Sequence, residues 1–403
     1  MQKKKILVIS SCVPYDTVGH AGGQTHNYYL KQLNEVFDIY LISFGEEEDR
    51  EKAEKDLIRY GINHTVYYRK NDTKEKICRL INVESRFNLL NHNAMMCSNF
   101  DEYLIIKKLN QLKQDSFLPD IIILEWLKNI ILIQKIKRMF PNAKFVASAH
   151  DVVSIGYKRK QSYYKGLKRI LWTIKYHRLH KKEIESLSLC NLVFVHNKEN
   201  VDYLLQEGIE KDKLQWLIPY FNNMKNNKRN PVVRDILYFG AMGRSENYLS
   251  AIWFIENVMP ILHGKGFRFV IVGGNPPLEL KRFKNQDIII TGFVDDVTPY
   301  FDNCMCLVAP LVFGAGIKVK ILEALSSGIP TLTNSLGIEG IDATDGREFF
   351  FCETPKDYLE IITKLETGEI DQVEVEQNAK NFIKKQFNLN IGLDQYLNLI
   401  SAL

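Results

Sequence analysis

Hydrophobic residues along this chain fall into two patterns that take turns. Short apolar or alternating runs at residues 5–10, 39–43, 65–68, 120–124, 144–148, 192–195 and 214–218 read as strands. The run Ile121-Ile122-Ile123-Leu124 has no polar position, as expected of a strand covered on both faces in a parallel sheet. Between these runs the apolar positions recur at helical spacing, which predicts helices near 22–34, 47–60, 73–90, 100–114, 129–140 and 198–206, and one long helix over 157–187. Strands alternating with helices predict a parallel sheet with helices on both faces.

A polar stretch at 220–232, YFNNMKNNKRNPV, breaks the pattern, which then restarts. Strands at 236–239, 267–272, 288–291, 305–309 and 331–333 alternate with helices, of which 247–262 places Leu249, Ile252, Trp253, Val258, Met259 and Leu262 on one face. Three helices, at 355–367, 374–386 and 391–402, close the chain. At 403 residues the chain outgrows a single core, which stops near 250–300 residues, and fits two domains of about 200. The expected fold class is therefore α/β, with a doubly wound Rossmann-like domain at 1–220, a linker at 221–232, a second such domain at 233–385, and a helix at 386–403 crossing back to the first. The carboxyl ends of the two sheets, where open α/β folds bind ligands, are expected to face each other across a cleft.

The stretch 309–324, APLVFGAGIKVKILEA, concentrates the candidate chemistry. An apolar run ends at Pro310, Gly314 and Gly316 free the turn, and a helix-forming run, 317–326, follows at once. A helix N-terminus reached through glycines exposes unpaired N–H groups suited to a phosphate, and Lys318 and Lys320 add two full charges. Glu323, one to two turns in, is placed to accept hydrogen bonds from a sugar hydroxyl. Taken alone, a tight connection flanked by solvated lysines accounts for the same residues.

Composition narrows the class. Hydrophobic content of 45% and charged content of 25% are those of a soluble globular protein. No apolar run reaches the ~18 residues of a membrane span, because Glu125 and Lys128 break the best candidate. The start MQKKKILVISS reads as a first strand, its apolar part being shorter than the roughly 7–15 residues of a signal peptide. Seven cysteines without metal-type spacing are expected to be free thiols in a reducing cytoplasm. The net charge of +5 conceals an asymmetry: residues 1–230 hold 38 Lys and Arg against 26 Asp and Glu, and the remainder 15 against 22. Such a split suggests two partners, or one half facing an anionic surface.

Four segments, FGAMGRSENYLSAIWFIENVMPIL, FVIVGG, ITGFVDDVTPYFDNCMCLVAPL and GAGIKVKILEALSSGIPTLTNSLGIEGI, resemble in order and spacing the group 1 glycosyltransferases, that is glycosyltransferase family 4 with the GT-B fold. They cover about 235–341; the N-terminal half matches more loosely, in Gly22-Gly23, in ASAHD at 147–151 and in CNLVFVHNKENVDYLLQEGI, and 60–118 carry nothing recognisable. The resemblance implies retaining transfer of a sugar from a UDP- or GDP-linked donor held by the C-terminal domain to a saccharide or lipid-linked acceptor held mainly by the N-terminal one.

It also implies roles. Glu323 matches the second glutamate of the family's E-x7-E motif and would bind the ribose, while Ala315 stands where the first glutamate belongs. Arg244 matches the basic residue after the first C-domain strand and would neutralise the departing diphosphate; the family's next lysine is missing, Asn247 standing near its place, which leaves Lys318 or Lys320 to supply the second charge. Gly240, Val294, Gly314, Gly316 and Ile317 complete the expected donor contacts. His150, which by itself reads as a histidine bonded at a strand end, is placed by the resemblance at the donor sugar near the reacting carbon. Gly22 and Gly23 either let a helix approach the phosphates or belong to a plain helix cap, and Glu125 either touches the acceptor or is a solvated strand end.

No Asp-x-Asp occurs, and Asp295-Asp296 is a poor substitute, so neither a metal nor another cofactor is expected. Between Asp151 and Glu183 ten Lys and Arg occur without one acidic residue. They form either the solvated face of a long helix or, over 157–182, a surface for anionic membrane, worth ~1 kcal/mol per basic residue. The protein is then expected in the cytoplasm, peripheral on the inner face of the membrane. A nucleotide-sugar epimerase or phosphorylase on the same scaffold, or a non-catalytic sugar-nucleotide-binding subunit, are the competing readings. No nucleic-acid motif accompanies the charge, so no nucleic acid is expected as partner.

Overall fold

The computed structural model describes residues 3–70, 96–224, 229–314 and 316–403. The helix expected over 73–90 and the position of Ala315 lie outside the described residues. The chain divides into two compact units, Met1–Tyr220 with Asn390–Leu403, and Phe221–Leu389.

In the first unit the strands are β1 (Lys5–Ile9), β2 (Asp38–Glu46), β3 (Asn63–Arg69), β4 (Ile121–Glu125), β5 (Lys144–Ala149), β6 (Leu192–Val195) and β7 (Leu214–Trp216). They form one sheet in the order β3-β2-β1-β4-β5-β6-β7, every neighbouring pair parallel. Its helices are α1 (Ala21–Val36), α2 (Arg50–Arg59), α3 (Asn99–Gln114), α4 (Trp126–Ile130), α5 (Ile133–Met139), α6 (Val153–Tyr163), α7 (Gly166–Ser188) and α8 (Lys198–Gln206). Successive residues of β1 enter opposite cores, Leu7 and Ile9 on one face of the sheet and Ile6 and Val8 on the other, as the two-residue period of a strand requires.

The second unit holds β8 (Val232–Phe239), β9 (Arg268–Val272), β10 (Ile288–Gly292), β11 (Cys304–Ala309), β12 (Thr331–Thr333) and β13 (Phe350–Phe351) in the order β10-β9-β8-β11-β12-β13, again parallel throughout. Around it lie α9 (Ser245–Asn257), α10 (Met259–Leu262), α11 (Leu278–Lys281), α12 (Thr298–Asn303), α13 (Val319–Ser327), α14 (Ser335–Ile338), α15 (Pro355–Thr367) and α16 (Gln372–Gln386). The last helix, α17 (Leu389–Ser401), packs on the first unit, where the Tyr396 ring lies 4.9 Å from both Tyr29 and Phe194.

In each sheet the strand order reverses beside the first strand, between β1 and β4 and between β8 and β11. Such switch points splay the connecting loops apart and leave a crevice at the strands' carboxyl ends.

Four expectations are corrected. The helix expected over 157–187 is two helices, α6 and α7, because the chain turns at Lys165 and Gly166, the latter at φ +58°, a conformation glycine adopts without penalty. The helix expected over 247–262 ends at Asn257, and α10 restarts with Pro260 in its first turn, since proline has no N–H to continue the ladder. The described residues of the stretch 221–232 belong to the second unit and do not form a separate linker: Met224 N–H donates to Ser326 Oγ at 3.0 Å, and the Arg229 guanidinium donates to the Cys304 carbonyl at 2.7 Å. The helix after the glycine turn begins at Val319, not at Ile317, because Lys318 is still extended.

Candidate active site

The second unit's group stands at the switch point between β8 and β11. Strand β8 ends in Phe239 and passes into Gly240, whose backbone sits against Gly273 after β9. A Cβ on Gly273 would come within 1.7 Å of the Gly240 carbonyl oxygen, so two loops meet here backbone to backbone. A Cβ on Gly240 would lie 3.1 Å from Lys320 Nζ. The lysine, in the first turn of α13, donates to Asn247 Oδ1 at 2.8 Å and stands over the Tyr238 ring at 4.8 Å. Asn247 is fixed in turn by donating to the Ala241 carbonyl at 2.9 Å, while the Tyr238 hydroxyl donates to the Asn247 carbonyl at 2.8 Å.

Among the described residues no carboxylate pairs with Lys320. Burial, then the charges of Arg244 and Lys318, lower its amine to about 7. An amine that makes no ion pair among the described residues and stands against the Gly240 backbone is an arrangement that an anion would complete. Glu323, one turn further along α13, is buried and accepts from the Asn222 N–H at 3.4 Å. Burial raises its carboxyl to about 7 against the opposing pull of Asn222 and Lys320. Lys318 is engaged otherwise, its ammonium donating to the Gly316 carbonyl and reaching Glu339 Oε2 at 3.5 Å. Arg244 precedes α9, pairs with Glu246, and leaves most of its side chain in solvent.

A second group lies in the first unit at the ends of β4 and β5. Glu125 is buried and is not a solvated strand end: Oε2 accepts from His150 Nε2 at 3.0 Å and Oε1 lies 3.5 Å from His26 Nδ1. Burial alone would raise its carboxyl, but His26 and His150 together hold it well below the usual carboxylate range. Trp126 follows at φ +63°, a strained backbone for an aromatic residue, and stacks on the His150 ring at 4.4 Å and 13°. With Nε2 committed to Glu125, His150 presents Nδ1, 3.6 Å from where a Gly22 Cβ would stand. His196, 5.0 Å from His150, is held neutral by burial, which lowers it to about 3, and donates through Nδ1 to the Leu217 carbonyl. At the start of α1 the Gly23 N–H is taken by His20 Nδ1 at 3.0 Å, a side-chain helix cap.

The structure thus joins Gly240, Lys320 and Asn247 in one contact group with Arg244 and Glu323 acting on the same ammonium, and it joins Gly22 to His150. Gly314 and Gly316 form the turn into α13, at φ +151° and +73°, and Ile317 leads from it to Lys318. Val294 lies in the loop after β10, half-buried beside the exposed Phe293, whose side chain stands against Gly274. His26, Trp126 and His196 are absent from the sequence reading, since nothing in their local pattern announces that they gather round Glu125. Among the described residues no group of three or more His, Cys, Asp or Glu is arranged to hold a metal ion.

Comparison with known proteins bears on the second unit most directly. Residues 233–367 match the family model described as glycosyl transferases group 1. A Klebsiella pneumoniae protein, described as an uncharacterized 44.6 kDa protein in the cps region, is 25% identical over 220 residues, 49% of this chain and 56% of that one. The chain therefore spans little more than half the length of the curated relative it matches. Among solved structures, sucrose-phosphate synthase from Thermosynechococcus elongatus is similar with a TM-score of 0.68 at 13% identity, over the full length of both chains. Anabaena HepE with UDP-glucose gives 0.64 at 13%, covering 99% of this chain and 100% of that one. S. aureus TarM, with UDP and alpha-GlcNAc-glycerol among its ligands, gives 0.66 at 12%, covering 98% and 99%.

Proposed function

We propose that the protein is a retaining, metal-independent glycosyltransferase, a reading supported by the match of residues 233–367 to the group 1 glycosyl transferase model and by the GT-B fold. It moves a sugar from a UDP- or GDP-linked donor to a saccharide or lipid-linked acceptor in cell-surface polysaccharide or glycolipid synthesis. It works in the cytoplasm, with peripheral contact to anionic membrane through residues 157–182. The observation that carries the reading is Lys320, an amine with no ion pair among the described residues, placed against the Gly240 loop of the matched domain.

In this reaction the bond between the anomeric carbon and the nucleoside diphosphate breaks, and negative charge grows on the leaving phosphate. Lys320 and Arg244 are assigned to that charge, together with the N–H groups at the start of α13, because fixed cations and dipoles aimed at developing charge lower the barrier. Lys320 thereby takes the place of the lysine missing beside Arg244, reaching Asn247 from 73 residues further along the chain. Glu323 is assigned to the ribose hydroxyls and His150 to the donor sugar. The cps-region description of the Klebsiella relative supports polysaccharide synthesis, and the UDP-glucose bound by Anabaena HepE supports a UDP-linked donor.

The test is product analysis with a panel of UDP- and GDP-sugars, with and without saccharide and lipid-linked acceptors, in excess EDTA. Transfer that needs the acceptor, resists EDTA and keeps the donor's anomeric configuration by NMR is the expected result. Conversion of donor alone would assign an epimerase, and activity restored only by Mn²⁺ would overturn the metal-independent reading.

A further inference from the structure

The hairpin of α6 and α7 carries a surface that sugar transfer leaves without a task. Its inner side is well packed. Trp172 of α7 meets Tyr157 at 5.0 Å and Tyr164 at 6.4 Å, with Lys160 and Lys175 over the indole at 4.9 and 4.8 Å. At its root Glu183 of α7 is buried and accepts from the Val153 and Ser154 N–H groups of α6 at 2.8 and 3.0 Å, so the two helices are tied together where α6 begins.

The outer side differs. Leu167, Ile170 and Ile174 follow the i, i+3, i+7 spacing of one helical stripe and are 86%, 57% and 39% exposed; Tyr163, ending α6 beside them, is 46% exposed. The stripe continues away from the tip into Arg178 and Lys181, and Lys158, Lys165, Lys168 and Arg169 stand exposed around it. A stripe that is apolar at its tip and basic towards its root, with no carboxylate from Val152 to Lys182, has the charge and polarity order of a headgroup layer met end-on.

We infer that this hairpin tip docks on an anionic lipid bilayer by inserting Leu167, Ile170 and Ile174 below the headgroups while the lysines and arginines around them bind lipid phosphates. The inference deepens the membrane contact proposed above, but it rests on the exposed stripe and does not depend on the transferase reading. Dimensions favour a bilayer over a protein partner. The apolar stripe runs from Leu167 to Ile174, eight residues or about 10 Å of helix from first to last, which matches the ~5–10 Å depth of interfacial insertion. Four side chains fall well short of the ~800 Å² per partner that a stable protein interface covers.

The test is co-flotation of the full-length protein with phosphatidylcholine vesicles, with and without phosphatidylglycerol. Two variants accompany it, L167S/I170S/I174S and K158Q/K165Q/K168Q/R169Q, whose altered residues all reach solvent, with melting temperature as the folding control. Wild type is expected to float only with the anionic vesicles. Removing four charges at about fivefold each is expected to weaken partitioning by more than a hundredfold. The apolar triple variant is expected to lose at least tenfold even at low salt. Equal flotation with both vesicle types, or none, would overturn the inference, as would wild-type binding by the triple variant. A dimer in sedimentation that the triple variant dissociates would assign the surface to a second copy instead. Stabilisation by a nucleoside diphosphate is read separately, so failure here leaves the transferase reading standing, and the reverse.

Discussion

If Lys320 and Glu323 hold opposite ends of one nucleotide, the affinity of the protein for its donor depends on pH in both directions. In the empty site Lys320 loses its proton near 7 instead of the ordinary 10.5, because burial and the neighbouring Arg244 and Lys318 disfavour the ammonium. A bound diphosphate holds the ammonium, so above pH 7 binding takes up a proton and weakens as pH rises. Glu323 ionises near 7 instead of 4.5 because it is buried. Ribose hydroxyls donate to the carboxylate, so below pH 7 binding releases a proton and weakens as pH falls. If the ligand restores both groups to ordinary values, the two limbs cross at neutrality. Affinity is then about eightfold lower at roughly pH 5.5 and at roughly pH 8.5 than at 7, or ~1.2 kcal/mol. Titration calorimetry with a nucleotide sugar measures this cleanly, since its esterified diphosphate has no proton to lose in that window. Lys320→Met is expected to remove the alkaline limb and keep the acidic one, and Glu323→Gln the reverse. An affinity independent of pH, or an alkaline limb that survives Lys320→Met, would refute the assignment.

Other outcomes follow from single contacts. Arg244→Ala removes a solvent-facing cation with little packing, so kcat is expected to fall by about 10²–10³ while folding is unchanged; wild-type turnover would exclude Arg244 from the leaving-group site. Gly273→Ala puts a methyl 1.7 Å from the Gly240 carbonyl at φ +150°, and the second unit is expected to lose its cooperative thermal transition, which differential scanning calorimetry would show intact if the loops can separate. Glu125→Gln leaves His26 and His150 without their shared anion, and urea unfolding followed by tryptophan fluorescence is expected to report a loss of about 3 kcal/mol; an unmoved midpoint would mean the two histidines do not depend on the charge.

The sheets were legible because parallel strands covered on both faces must be apolar throughout, as in 121–124 and 304–309. The glycine turn into α13 was legible for a similar local reason, as Gly314 and Gly316 do adopt the backbone that their identity suggests. Tertiary encounters were not. Lys320 could not be told from Lys318 in the run KVK; only the fold sends one amine to Asn247 and the other to Glu339. The burial of Glu125 was hidden because the histidines that meet it come from α1 and from the end of β5. The hairpin was hidden because a single glycine within a helix-forming run is tolerated as often as it breaks the helix, and Gly166 breaks it. Pro260 shows the converse, since it ends α9 as its missing N–H demands, yet the apolar face continues through it and masks the break.

The central claim, that the second unit holds a nucleoside diphosphate through Lys320 and Glu323, is tested most directly by thermal shift against UDP, GDP and ADP. A ligand at a hundred times its Kd stabilises the folded state by about 2.7 kcal/mol, enough for a clear rise in unfolding temperature. The account predicts such a rise for UDP or GDP in the wild type and its loss in both Lys320→Met and Glu323→Ala. No rise with any of the three, or an undiminished rise in both variants, would contradict it.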